Sequence, residues 1–403
     1  VPALRSPDEA WLAAEGDRLL EFARASRHPD GGFGWLDGSG RLDRAHARPL
    51  YVTCRMTHVF ALAHLLGKPW AAELVDHGLA ALRGPCRDEQ YGGWHRGLAA
   101  DGTLSTGKTA YEHAFVVLAA ASATSAGRPG AGDLLEDALA VLDRHFWDER
   151  HGMLVEQWDR AFTRLDGYRG ANANMHAVEA LLAAADVAGS TALRDRALRI
   201  TARVVHDVAP RFGWRIPEHF DDDWRPLPDY HRDRPADPFR PFGATVGHWF
   251  EWARLAVTLH ASLADPPAWL VDDARSLFDA AAATWGVDGS DGFVYTVDWD
   301  GHPVVRQRMH WVVAEAIAAA AALGRVTGGS SYERWWRVLW EYADAHLVDR
   351  AAGSWHHELG PDNRPAATVW AGKPDVYHAF QATLLPRLPL APCAAEALRV
   401  RSG

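Results

Sequence analysis

Two helical patterns alternate along the chain. Six segments, at 51–66, 109–126, 172–188, 245–263, 308–326 and 375–386, are rich in alanine and leucine and apolar nearly all round. That pattern predicts helices buried on both faces. Six others, at 7–26, 69–83, 131–146, 191–209, 266–285 and 331–347, are amphipathic, as in SPDEAWLAAEGDRLLEFARAS and SSYERWWRVLWEYADAHL. These predict helices with one face in water. Ser6 and Ser331 stand where N-caps belong, and Pro7, Pro129 and Pro267 fall at or near helix starts. Glycine- and aromatic-rich segments lead from each amphipathic helix to the next apolar one. Asp37-Gly38, Asp101-Gly102 and Asp300-Gly301 within them are hairpin signals. The fourth connection, GWRIPEHFDDDWRPLPDYHRDRPADPFRPFG, is longer and rich in Pro, Asp and Arg. A loop of that length is usually functional, and residues 215–243 are expected to form a lid.

A histidine opens each apolar run: His58, His113, His176, His248, His310 and His378, at intervals of 55, 63, 72, 62 and 68 residues. A repeat of this kind decides the architecture. Twelve helices, amphipathic outside and apolar inside, specify an all-α fold: an (α/α)6 barrel with short β-hairpins in the connections at one rim. The expectation is a single catalytic domain over 1–403. All inner helices then start at one rim, and the six histidines are expected to ring that mouth. Partial positive charge at helix N-termini keeps imidazoles there neutral and able to act as bases.

Composition narrows the function. Hydrophobic residues make up 48% and charged residues 23%, ordinary for a protein with a large core. The net charge of −10 excludes a sequence-independent nucleic-acid binder. No run of about 20 apolar residues is present, so no membrane partner is expected. Three dispersed cysteines and an N-terminus without a signal pattern predict a reduced, cytoplasmic setting. Nineteen tryptophans offer flat apolar area with one N–H each, suited both to stapling helices and to stacking on a sugar ring.

Three histidines have polar company. Glu251 follows His248 by one helical turn and could fix its tautomer. Glu179 stands in the same relation to His176, with Asn172 and Asn174 just before; His378 follows Lys373 and Asp375. Arg55, Tyr111 and the Trp311–Glu315 pair are placed to reach the same mouth. His58, His113 and His310 read as structural. No HExxH, close His/Asp set, GxSxG or dinucleotide loop occurs, so neither metal nor organic cofactor is expected. Asp221, Asp222 and Asp223, and the pair His356 and His357, read as surface groups.

The ordered motifs RMTHVFALA, YEHAFV, NANMHAVEA, GHWFEW and GKPDVYHAF resemble the N-acylglucosamine 2-epimerase superfamily, over roughly residues 10–390. The last motif is most like the branch that isomerises mannose or sulfoquinovose. The resemblance implies a cofactor-free enzyme whose partner is a monosaccharide held in the barrel mouth. It implies Arg55, Tyr111, Asn172, His176, Glu251, Trp311 and Glu315 around the sugar, with His248 and His378 as the acid/base pair. Trp370 and Lys373 would be wall residues, and Arg240 the lid arginine that touches substrate. The implied reaction is mannose–fructose isomerisation, with lyxose–xylulose alongside, through a cis-enediol. The alternatives are a mannose/glucose 2-epimerase or a sulfoquinovose isomerase, whose sulfonate Arg55, Arg240 and Lys373 could hold. A glycoside hydrolase on the same barrel would need two carboxylates flanking the scissile bond, and the inner helix starts present histidines instead.

Overall fold

A computed structural model describes residues 7–102 and 104–402. The described helices are α1 (Glu9–Ala23), α2 (Leu50–Leu65), α3 (Ala71–Arg83), α4 (Ala110–Ser125), α5 (Ala131–Val141), α6 (Ala171–Ala188), α7 (Thr191–Thr201), α8 (Val246–Ser262), α9 (Trp269–Ala282), α10 (His310–Thr327), α11 (Ser330–Tyr342), α12 (Tyr377–Leu384) and α13 (Ala394–Ser402). The even-numbered helices up to α12 are the apolar segments. Each packs on the next even one, and α12 packs back on α2, closing an inner ring. The odd helices α3 to α11 each cover the inner helix that precedes them, and α1 covers α12. This is the (α/α)6 barrel. Fourteen of the 16 residues of α2 are buried, against four of 13 in α11, and that difference sorts inner from outer. Runs of alanine, as in AIAAAAAL of α10, let the inner helices approach closely.

Strands of two or three residues tie the rim together. The residues just before α2, Arg48–Pro49, pair with Gly97–Leu98 of the next connection. The same link recurs before α4, α6, α8 and α10, through Gly107–Thr109, Arg169–Gly170, Ala244–Thr245 and Arg308–Met309. The expected hairpins form within single connections, around Asp37-Gly38, Asp101-Gly102 and Asp300-Gly301. The strand pairs that join successive repeats are additional, and sequence spacing cannot reveal them.

Some expectations need correction. A thirteenth helix, α13, packs across α2, α4 and α6. Asp8 caps α1 by accepting from the Trp11 N–H, while Ser6 lies outside the described residues. Ser331 sits inside α11, whose N-cap is Gly329. The six histidines also stand at different depths: ninth in α2, fourth in α4, sixth in α6, third in α8, first in α10 and second in α12. Each residue adds about 1.5 Å along the axis and turns about 100° around it. So a shared sequence motif does not give a shared position. None of the described helices is long and apolar enough to cross a membrane.

Candidate active site

Polar side chains from the first two turns of the inner helices converge on a cavity of about 90 Å³ at the strand-bearing rim. His176, His248, His310 and His378 line it. His113 turns away from the axis: its Nδ1–H donates to the Thr109 carbonyl (2.7 Å), and its Nε2 accepts from the Trp94 N–H (3.2 Å). His58 lies deeper and bonds Ser122 (2.7 Å). Burial lowers both histidines, His113 to about 3 and His58 to about 4. Two histidines that read as structural or superficial stand on the wall instead. His310 and His357 stack at 3.8 Å, and the His310 ring bonds the His357 carbonyl (3.2 Å).

Two histidine–carboxylate pairs dominate the site. His378 Nδ1 bonds Glu315 Oε1 at 2.9 Å, and the second oxygen of Glu315 accepts from Arg254 Nε at 2.8 Å. His248 Nδ1 bonds Glu218 Oε1 at 2.9 Å. A carboxylate can only accept, so each ring carries its proton on Nδ1 and keeps Nε2 as a base. The Trp311 ring lies between the two, with centroids 5.2 Å from His248 and 5.7 Å from His378. It can sit there because α8 has Gly247 beside it: a Cβ at that position would come within 2.3 Å of the indole. Burial and the nearby Arg55 charge hold His378 well below the ordinary histidine range, as neutral imidazole.

Glu218 was not singled out in the sequence. It precedes the strand His219–Phe220 in the long fourth connection, and the only hint is that it stands between a proline and a histidine in an Asp-rich stretch. Glu251, the expected partner of His248, lies elsewhere. One helical turn along α8 carries it to His176, 3.6 Å from Nδ1, and neither of its oxygens has a hydrogen-bond partner among the described residues. Burial, then the charge of Glu315, raises Glu251 well above the usual carboxylate range, so it stands as a neutral acid. Glu179 likewise leaves His176 and accepts from Tyr377 and Gln381.

Arg55, Tyr111, Asn172, Trp311 and Trp370 line the cavity as expected. Arg55 donates to Tyr111 (3.0 Å) and Asp375 (3.3 Å). Trp370 is placed by Glu358, whose carboxylate accepts from the N–H groups of Thr368, Val369 and Trp370. Three expected contacts are absent from the wall. Glu315 lies behind His378 as its orienting group. Lys373 turns away to Asp349 (2.6 Å) and the Gly353 carbonyl (2.7 Å), because a buried ammonium needs a counter-charge. Arg240 lies over Tyr168, its Cζ 3.9 Å from the ring centroid, in a neighbouring cleft with Glu112 and Glu156. Its neighbour Phe239, missed in the sequence, reaches the cavity and meets Tyr51, Tyr111 and Trp370 edge-on.

Two buried triads, His176–Glu179–Glu251 and Glu251–Glu315–His378, have ligand atoms within 4.8 Å of one another. The Arg254 guanidinium sits among the same carboxylates, 2.8 Å from Glu315, 3.7 Å from Glu251 and 4.0 Å from Glu179. A metal cation there would face that fixed positive charge, so the donor set does not suit one.

Comparison with known proteins agrees with the geometry. A family model, N-acylglucosamine 2-epimerase (GlcNAc 2-epimerase), matches residues 31–382. A D-mannose isomerase of Thermobifida fusca is 55% identical over 98% of both chains. One of Pseudomonas cannabina pv. alisalensis is 50% identical over 98% of this chain and 96% of its own. A crystal structure of a D-mannose isomerase superposes with a TM-score of 0.89 at 29% identity, covering 94% of this chain and 98% of that one. The chain therefore belongs to the N-acylglucosamine 2-epimerase family.

Proposed function

We propose that the protein is a cofactor-independent aldose–ketose isomerase that interconverts D-mannose and D-fructose, with D-lyxose and D-xylulose as the pentose pair. The observation that carries this reading is the pair of carboxylate-held imidazoles on either side of Trp311 in one small cavity. The D-mannose isomerases at 55% and 50% identity support the choice of sugar. Residues 215–243 act as the lid of a single catalytic domain, with Phe239 closing the mouth.

In the reaction, His248 moves the O1 proton to O5 and opens the ring, its Glu218 partner stabilising the passing imidazolium. His378 Nε2 then takes the proton from C2, and the C2–H electron pair forms the C1–C2 double bond of the enediol. The O2 proton passes through His248 to O1, and His378 returns its proton to C1 on the same face. An aldehyde at C1 has become CH2OH, and C2 has become the ketone. Positioned acid/base groups of this kind typically contribute about 10²–10⁴-fold each. Arg55, Tyr111, Asn172 and the neutral Glu251 would supply donors to the enediolate oxygens.

The cationic groups favour a plain sugar over a sulfonated one. Of Arg55, Arg240 and Lys373, only Arg55 borders the cavity, and Asp375 already pairs with it. A hydrolase would need a protonated carboxyl group and an ionised carboxylate flanking the scissile bond. Of the carboxylates on the cavity wall, Glu218 is committed to His248 and Asp375 to Arg55, which leaves Glu251 without a free ionised partner.

The test is proton NMR of EDTA-treated protein with D-mannose in D2O. Fructose as first product is expected. Glucose as first product would make the protein a 2-epimerase, and turnover that needs added metal would overturn the cofactor-free mechanism.

A further inference from the structure

The two histidine–carboxylate pairs differ in charge. Glu315 has a cation on its far side: Oε1 accepts from His378 Nδ1 at 2.9 Å, and Oε2 accepts from Arg254 Nε at 2.8 Å. Glu218 accepts from His248 with Oε1, and its Oε2 has no hydrogen-bond partner among the described residues. Among the same residues no lysine or arginine nitrogen lies within 4 Å of Glu218. One imidazole therefore stands on an ion pair and the other on a bare carboxylate. Arg254 itself is buried, 5% exposed, and meets carboxylates from three inner helices. These are Glu315 of α10, Glu251 of its own α8 at 3.7 Å and Glu179 of α6 at 4.0 Å.

From this geometry we infer that Arg254 is a positioning residue, which acts through Glu315 to keep His378 oriented by a carboxylate yet unprotonated at Nε2. A carboxylate alone beside an imidazole favours the imidazolium, and a cation on its other oxygen opposes that. A guanidinium supplies the cation at every pH the fold survives. Without it, a proton returns to the His378–Glu315 pair. The proton rests on the imidazole, or on the carboxyl group with Glu315 donating to Nδ1. In both arrangements Nε2 carries a hydrogen and is lost as a base. The consequence for turnover rests on His378 being the base of the proposed reaction.

The other groups that face His378 are matched or neutral. Arg55 of α2 pairs with Asp375, which precedes α12 (3.3 Å). Glu251 is held as a neutral acid, and burial keeps His176, His310 and His357 unprotonated. Glu179 accepts from Tyr377 and Gln381. On α1, which packs on α12, Glu15 accepts from Arg18 and Trp355. Burial and then Arg55 hold His378 low; Arg254 acts in the same sense and Asp375 in the opposite one.

The experiment is nitrogen-15 NMR of the histidine-labelled full chain, beside the pH profile of kcat/KM for mannose. The His378 Nε2 signal is assigned by its loss in His378→Gln. In the wild type Nε2 should be bare at pH 6, where an ordinary imidazole is mostly protonated. Arg254→Gln keeps a donor to Glu315 and removes the charge. His378 Nε2 should then take its proton about one pH unit or more higher, and the acid limb of kcat/KM should move with it. Arg254→Lys keeps the charge and should restore both. A protonated Nε2 in the wild type at pH 6 overturns the inference, and that measurement needs no variant to fold. A titration unmoved by Arg254→Gln overturns it too, as does one that Arg254→Lys shifts equally far. A His378 titration that moves while the acid limb stays put supports the role of Arg254 and sinks His378 as the base, so the two readings fail separately.

Discussion

Replacing Glu218 by Gln tests the most consequential residue that the sequence did not reveal. The side chain is 4% exposed and holds His248 Nδ1 at 2.9 Å. Two unit charges at that separation interact by about 6 kcal/mol at an effective dielectric near 20, an upper bound that applies only while His248 is protonated. A hydrogen bond to a charged partner is worth about 1.5–3 kcal/mol net. In the proposed mechanism the imidazole acts as a base, so most of this stabilisation would be realised only as it takes a proton. The neutral amide keeps the shape and removes the charge, and the loss should fall on kcat. At 1.36 kcal/mol per decade, 1.5–3 kcal/mol is about a 10- to 150-fold drop. Its amide can also offer an N–H to Nδ1, trapping the wrong tautomer and deepening the loss. Mannose-to-fructose kinetics across pH 6–9, with a thermal melt as control, measure it. A kcat within two-fold of wild type would refute the role of Glu218, as would a loss confined to KM.

Three further outcomes are expected. His378→Ala should abolish turnover while leaving mannose binding measurable by calorimetry; near-normal turnover sinks the assignment. Gly247→Ala should lower both the melting temperature and kcat/KM, because its Cβ would lie 2.3 Å from the Trp311 ring and overpacking costs about 1–3 kcal/mol; an unchanged melt and rate would show that the indole has room to shift. Acid should destabilise the fold. Burial lowers His58, His219 and His310 to about 4 and His113 to about 3, from an ordinary 6.5. The unfolded chain then takes up protons first as pH falls below about 6.5, and stability is lost progressively down to the folded values. By pH 5 that is roughly 2 kcal/mol for each histidine. Glu156, raised to about 7 by burial, works in the opposite sense, as do the raised Glu112 and Glu251, while the lowered His176, His357 and His378 add to the loss in acid. Urea unfolding midpoints at pH 7.5 and 5 measure the difference, and equal midpoints would contradict the burial argument.

The sequence by itself determined the barrel. Apolarity on all faces marks the inner helices and one-sided apolarity the outer ones, and both are properties of a single helix that survive in one dimension. It also marked the rim as the site, since Tyr111, Asn172, His248, Trp311 and His378 all fall within the first three residues of an inner helix. Local pattern could not assign partners. Glu251 stands one turn from His248 in the chain, but a turn of helix along the axis is also a step down the cavity, so it meets His176 instead. The carboxylates that hold the two candidate bases come from 30 and 63 residues away. The family resemblance implied Lys373 as a wall residue and Arg240 as the lid arginine at the sugar. The fold gave each a nearer compensation, Asp349 for one and the Tyr168 face for the other. Which side chains are near a rim follows from helix periodicity; which of them touch depends on the rotation and depth of neighbouring helices, and only packing the ring closed sets those.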